Sequence, residues 1–251
     1  MVLQRPETLT QAAVRCISEA ILRGDFTPGQ PLPEVYLADR MGISRSTVRE
    51  ASRILAEQGL VEVFPHRGVI VARLTARKAR EIFTLRAELE SYAVRLAVER
   101  GAYTPDERRA HQRALRELES AVAGGNLFEV AGADMRFHEV LARASDHYLL
   151  LETLAGLRLR MRQAIVFTKL LNSDTETETV THRHILEEVH KGDPELAAAA
   201  IREHIIRSGE LLVNKLSQAE RQRAGLTHGG QWSRSNSVSR GAPPSLIGAW
   251  P

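Results

Sequence analysis

A single cysteine in 251 residues rules out an intramolecular disulfide and a thiolate zinc cluster. Cys16 falls inside an amphipathic segment and reads as a small core residue. No apolar run approaches the ~20 residues that a membrane span requires. The N-terminus lacks a short basic region followed by an apolar stretch and a small-residue cleavage site, so no secretion signal is expected. These absences lead to the expectation of a cytoplasmic chain with no membrane partner. Charge of one sign is also scarce, with a net value of only +3. Arg221, Arg223, Arg234 and Arg240 against Glu220, all beyond Gln218, account for that excess. The remainder is neutral, so any contact with a polyanion must come from local placement of arginines. The length allows one large or two modest domains, and 43% hydrophobic residues suffice for buried cores.

Most informative is Leu37 to Gln58, LADRMGISRSTVREASRILAEQ. Leu37, Met41, Ile43, Val48, Ile54 and Leu55 recur at spacings that bury one face of two short helices. Gly42 sits where the first helix must stop, and Ser44 can cap the second through its hydroxyl. Arg45, Arg49 and Arg53 are four apart and share one helical face. An arginine stripe alone would read as a solvated surface. The flanks decide otherwise. Leu9 to Leu22 is a separate amphipathic helix ended by Gly24, and Thr27-Pro28-Gly29 is a loop. After Gly59, Leu60–Val63 and Val69–Val71 read as two short strands around the turn Pro65-His66-Arg67-Gly68. Helix, loop, helix, turn, helix and hairpin make a winged helix-turn-helix, a helix for the major groove with a wing beside it. The expected DNA contacts are Arg45, Ser46, Thr47, Arg49 and Arg53 on the helix, and His66, Arg67 and Gly68 on the wing.

This segment resembles the DNA-binding domain of the GntR superfamily of bacterial transcription regulators. The resemblance is carried by Leu22-Arg23-Gly24, Pro28-Gly29, Leu37-Ala38, Gly42-Ile43-Ser44-Arg45, Val48-Arg49-Glu50-Ala51, Leu55, Gly59-Leu60 and Gly68. Many members have proline at the position of Thr47 and an apolar residue at that of Ser52. Some place a DNA-contacting arginine where this chain has Val35, which implies a different contact set or operator.

From Ala76 to Leu216 the periodicity is helical throughout. Six helices are expected: Ala76–Arg100; one beginning after Thr104-Pro105 and ending near Gly124; Asn126–Ala144; Asp146–Leu170; one ending at Gly192; and one from Pro194 to about Leu216. A polar stretch, Asn172 to Thr179, precedes the fifth. Short connections imply an antiparallel bundle. The fold class is therefore mainly α, with a winged helix-turn-helix over 1–74, an all-helical domain over 75–217 and a disordered tail over 218–251.

Asp134 and His138 are four apart on the third bundle helix, so they share a face. With His182 and His204 from two other helices they would offer one carboxylate and three imidazoles to a divalent transition metal. Nine histidines make some such pairing expected by chance, and His111, His147, His184 and His190 are equally available by spacing. His182 and His184 point to nearly opposite sides of one helix, so only one can face the interior.

Residues Ala79 to Leu211 resemble the helical effector domain of the FadR branch of the GntR regulators, the FCD domain. The carrying motifs are Leu85-Arg86…Leu89-Glu90, Asp134…Phe137-His138, His182…Ile185-Leu186…Gly192-Asp193…Ala197 and His204. Six helices in place of seven resembles the VanR-like subgroup. The resemblance implies Asp134, His138, His182 and His204 as ligands of one divalent ion, zinc first, with nickel, manganese or iron as alternatives. It implies a small carboxylate as effector and Arg86 as a residue pointing into the effector cavity, where it could clamp that carboxylate. Otherwise Arg86 and Glu90 would simply be an i,i+4 pair. Arg158, Arg160 and Arg162 are further candidates, and their spacing does not say which points inward. The expected function is a homodimeric transcription regulator, a repressor, on a pseudo-palindromic operator. The competing expectation is a metal-dependent hydrolase or lyase with an accessory DNA-binding domain, which would need a general base beyond the ligands. Glu139 and Glu187 adjoin ligands, but no motif aims either of them.

Overall fold

The computed structural model describes residues 7–65, 68–171 and 175–228. The N-terminal part runs α1 (Leu9–Arg23), α2 (Glu34–Met41), α3 (Arg45–Glu57), β1 (Val61–Phe64) and β2 (Gly68–Val71). Each helix starts and stops where its sequence requires. Thr8 and Gln11 form a reciprocal capping box on α1. Gly24 and Gly42, both left-handed, end α1 and α2. The Ser44 hydroxyl accepts from the Thr47 amide at 3.1 Å to open α3. β1 and β2 pair antiparallel with Val61 opposite Val71 and Phe64 opposite Gly68. The chain before α2, expected as plain loop, adds a third edge. The Leu32 amide donates to Val69 O, the Val71 amide donates to Gln30 O, and Pro31 bridges Ile70. Ile17, Leu37, Val48, Leu55 and Leu60 are fully buried at the centre of this unit.

Six helices follow: α4 (Ala76–Glu99), α5 (Pro105–Gly124), α6 (Leu127–Arg143), α7 (Tyr148–Leu171), α8 (Thr175–Lys191) and α9 (Pro194–His228). α4 and α9 form the most extensive helix pair. Gly209 permits their approach, because a Cβ there would overlap the Phe83 side chain. Phe137, Leu141, Ile185, Ile201, Ile205 and Leu212 fill the core.

Two boundaries differ from the sequence reading. α8 begins at Thr175, inside the polar stretch expected as a connection. α9 continues to His228, about three turns beyond Leu216, where disorder was expected after Gln218. Part of the reason lies far away in sequence. The Glu220 carboxylate accepts a 2.9 Å hydrogen bond from the Ala76 amide, one of the open donors at the start of α4. That tertiary contact holds a segment whose composition alone favours disorder. Residues 229–251 of the expected tail lie outside the described residues.

Candidate nucleic-acid interface and metal centre

α3 presents its polar face outward while Val48, Ala51, Ser52 and Leu55 turn inward. Arg45 is exposed at the N-terminal end, with no ion pair among the described residues. Ser46 and Thr47 share the capping network of Ser44, at 2.7 and 2.8 Å between hydroxyl oxygens. Arg49 is held by Glu34 of α2, with Nη2 2.9 Å from the carboxylate. Arg53 sits between Glu50 and Glu57 at 2.8 and 3.1 Å. The stripe is therefore not uniformly free, and Glu34 is a carboxylate that the sequence of α3 alone does not show. These pairs are solvent-exposed and worth ~0–1 kcal/mol, so a phosphate or a base edge can displace them. Gly68 is exposed and left-handed at the start of β2, with open space above it. His66 and Arg67, expected at the wing tip, lie outside the described residues.

In the bundle, Asp134 and His138 of α6, His182 of α8 and His204 of α9 converge, with one potential ligand atom from each within 4.8 Å of the others. His182 Nε2 lies 3.4 Å from Asp134 Oδ1. The His182 and His204 ring centroids are 4.4 Å apart, and those of His138 and His204 5.3 Å. Bonds of ~2.1 Å to a tetrahedral ion place donors about 3.4 Å apart, and an octahedral shell reaches about 4.2 Å across. The cluster needs only a slight contraction to reach either. Asp134, His138 and His182 are buried and His204 partly so. Burial holds the His204 imidazole well below its usual range, with His182 and His138 adding to the effect. Burial and the nearby Arg86 charge also depress His138, against the pull of Glu90. Neutral imidazoles are the form that binds metal.

Around these four stands a second layer of charge. Glu90 Oε2 lies 2.6 Å from His138 Nδ1, and Glu90 Oε1 accepts from Arg86 Nε at 2.7 Å. Arg86 Nη2 lies 3.5 Å from Asp134 Oδ2. Arg86 and Glu90 are both 2% exposed, so this is no surface i,i+4 pair. Glu90 fixes a tautomer: with the proton on Nδ1 toward the carboxylate, the Nε2 lone pair of His138 faces the cluster. That Nε2 is buried and has no hydrogen-bond partner. A cation among the four residues would satisfy it. Sequence reading placed Glu90 beside Arg86 but missed this role, because nothing in the spacing of α4 shows that His138 of α6 lies against it.

Next to the centre lies a cavity of about 140 Å³ whose polar end is Arg86, Glu90 and His138. Met135, Leu151, Leu154 and Met161 form its apolar wall, and Arg158 stands at its margin. Arg158 lies 3.5 Å from Glu139, which also pairs with Arg143 at 2.9 Å.

These two sites, one on each part of the chain, can be compared with known proteins. Residues 9–71 match the family of bacterial regulatory proteins, gntR family, and residues 81–207 match the FCD domain. HTH-type transcriptional regulator YdhC of Bacillus subtilis (strain 168) is 31% identical over 209 residues, 81% of this chain and 91% of that protein. A Paenarthrobacter nicotinovorans protein named "Probable D-xylose utilization operon transcriptional repressor" is 31% identical, over 74% of this chain and 80% of its own. The solved structure of E. coli McbR/YncC superposes with a TM-score of 0.71 at 25% identity, covering 86% of this chain and 99% of that one. The chain belongs to the GntR family and carries an FCD domain.

A GntR regulator is not an enzyme, and the hydrolase or lyase reading falls with that assignment. Glu187 is exposed, and Glu139 is engaged with two arginines. No helix among the described residues is long and apolar enough to cross a membrane.

His111, His147, His184 and His190 lie apart from the cluster. The His184 side chain is 62% exposed, 3.7 Å from Glu188. His147 Nδ1 accepts from the Leu150 amide at the start of α7. His111 and His190 stack, with centroids 5.6 Å apart and Nδ1 to Nε2 at 3.3 Å. His111 is fully buried, and burial, then His190 and Arg108, push its pKa from 6.5 down to about 4. The folded state therefore binds fewer protons than the unfolded chain between these values. Its contribution is present above pH 6.5 and is lost as pH falls toward about 4. In chelator, His111→Phe is expected to flatten that part of the dependence of melting temperature on pH. The remaining slope belongs to His138, His190 and His204, which are also depressed. An unchanged slope in the variant defeats this account.

Proposed function

We propose that this GntR-family protein is a homodimeric repressor, that its FCD domain holds one divalent transition ion through Asp134, His138, His182 and His204, and that a small organic acid bound beside that ion changes its affinity for a pseudo-palindromic operator. The observation that supports the ion best is His138, its Nδ1 fixed by Glu90 and its buried Nε2 without a partner. Zinc suits three imidazoles and a carboxylate, as do nickel, manganese and iron. The bound ion would supply a positive centre for an anionic ligand. Arg86 orients a carboxylate arriving from the cavity, and the Met135, Leu154 and Met161 wall takes its apolar remainder. Residues 1–74 serve as the DNA-binding unit, and residues 75–217 bind effector and dimerise. A thermal-shift screen of short organic acids, with zinc and with chelator, tests the reading. An acid that raises the melting temperature only with metal present supports it. Equal shifts with and without metal would refute the metal-linked site.

On the DNA side, Arg45 and Arg49 lie in the first turns of α3, where base edges come within reach, and arginine pairs bidentately with guanine. Each good contact is worth ~1–3 kcal/mol. Arg45→Ala/Arg49→Ala is expected to lose specific operator binding while remaining a folded dimer. Retained specific binding in a gel-shift assay at fixed salt would remove these residues from the reading role. His66→Ala/Arg67→Ala, on the wing, is expected to weaken binding to many sequences alike and to lower its salt dependence. Loss of discrimination at one base pair alone would make the wing a base reader instead.

A further inference from the structure

Arg158, Arg160 and Arg162 follow one another at every second position of α7, and they point to three different places. Arg158 borders the cavity beside the metal-ligand cluster. The Arg162 guanidinium lies 4.1 Å over the Phe128 ring and is electrostatically coupled to Glu19 of α1. Arg160 reaches the other way, into the winged helix-turn-helix, where its Nη2 donates to the carbonyl of Glu57 at 2.7 Å. Leu159 beside it packs against the core of the same unit.

That carbonyl is not an arbitrary acceptor. A helix leaves its last four carbonyls without intrahelical partners. At the end of α3, Gln58 donates to Ile54, Leu60 to Leu55 and Gly59 to Ala56. Glu57 is the last of the four, and Arg160 takes it. Gly59 makes room for this. A Cβ at that position would overlap the Arg160 guanidinium, and the glycine is left-handed besides. A cation at a helix C-terminus also meets the negative end of the helix dipole. The recognition helix is thus completed by a side chain from the helical domain, 103 residues further along the chain.

We propose that Arg160 is a positioning residue. It clamps the C-terminal end of the recognition helix onto α7 and so sets the orientation in which the two recognition helices of a dimer meet DNA. The helix that carries it also supplies Leu151, Leu154, Arg158 and Met161 to the cavity wall, so a displacement of α7 by a bound ligand is delivered directly to α3. This rests on the dimeric regulator reading above.

The test uses full-length protein and an operator selected from random DNA by the wild type. Inserting one base pair between half-sites rotates them by about 34° and separates them by about 3.4 Å. A fixed pair of recognition helices feels that change. The wild type is expected to lose roughly tenfold in affinity on insertion and Arg160→Ala under about threefold, with equal affinities for a single half-site. Light scattering reports the mass, so failure of the dimer reading shows separately. Amide exchange reads the clamp in either oligomeric state: the Gly59 and Leu60 amides are expected to exchange several-fold faster in Arg160→Ala. An unchanged spacing preference in the dimeric variant overturns the proposal. So does equal loss on the single half-site, which would make Arg160 a mere support of the fold. In a monomer, unchanged exchange at Gly59 and Leu60 overturns it.

Discussion

Alanine at His182 is expected to strip the purified protein of its divalent ion, whereas alanine at His184 leaves metal content unchanged. The two residues are ~200° apart around one helix at ~100° per residue, and the fold uses that difference fully. His182 is 0% exposed against the Phe137 ring and within the four-residue cluster. His184 faces solvent. Losing one of four ligands removes a bond and opens the shell to water, and the Glu90–His138 support cannot compensate from the far side of the site. His204→Ala is expected to behave as His182→Ala. The protein variant without metal should also melt at a lower temperature than metal-loaded wild type, because an ion held between three helices contributes its binding energy to the folded state. DNA binding without effector should largely survive. Elemental analysis per subunit decides the matter. Equal metal loss in the His182 and His184 variants, or none in either, ends the four-ligand assignment.

How much of this was legible in the sequence depends on the range over which each feature is encoded. The winged helix-turn-helix is written locally. Ser44, through its hydroxyl, and Gly42 and Gly59, through their left-handed backbone, mark helix ends locally, and the alternation Val61, Val63 against Val69, Val71 sets the hairpin register. The Asp134–His138 pair on α6 is equally local, because i and i+4 share a face. The choice of His182 over His184 followed from the motif, with geometry allowing only one of them inward. What the sequence could not show is what crosses between helices. The polar, aperiodic surroundings of Glu220 read as a disordered tail, yet it caps α4 across 144 residues. Glu34 neutralises part of the arginine stripe from a different helix, 15 residues before Arg49. The alternation of Arg158, Arg160 and Arg162 was visible, but three directions on one helix gain meaning only when the neighbours on each side are known. A similar limit applied to Arg86. Spacing paired it with Glu90, and only the fold placed that pair in the interior beside Asp134.

That burial makes Arg86→Met the substitution with the largest expected effect on stability. Arg86 is the cation between two buried carboxylates, with Glu90 at 2.7 Å and Asp134 at 3.5 Å. Burial pulls its pKa down, but the two carboxylates more than offset this and hold it above its usual value. Burial likewise pushes Glu90 up, and Arg86, then His138, outweigh it, so Glu90 remains below the ordinary carboxylate range. Removing the guanidinium takes its positive charge from beside two desolvated acids. Breaking a buried pair from one side costs ~3–5 kcal/mol, far more than the pair is worth against an apolar replacement. Metal-free Arg86→Met is therefore expected to lose about that much in urea unfolding. Arg86→Met/Glu90→Leu should recover part of it, since the second change removes one stranded charge. Saturating zinc should also reduce the loss, because an ion on Asp134 supplies positive charge where the arginine did. The sign with pH follows from Glu90. Its depressed carboxylate gives wild type stability that is present above its unfolded value of about 4.5 and is lost as pH falls through the lower folded value. Arg86→Met should lack much of that acid-side decline. A metal-free Arg86→Met protein within about 1 kcal/mol of wild type would show that the charges are hydrated and the network contributes little. A double variant as unstable as the two single losses combined would show that the residues act independently, and that Arg86 and Glu90 are not the coupled pair on which the orientation of His138 depends.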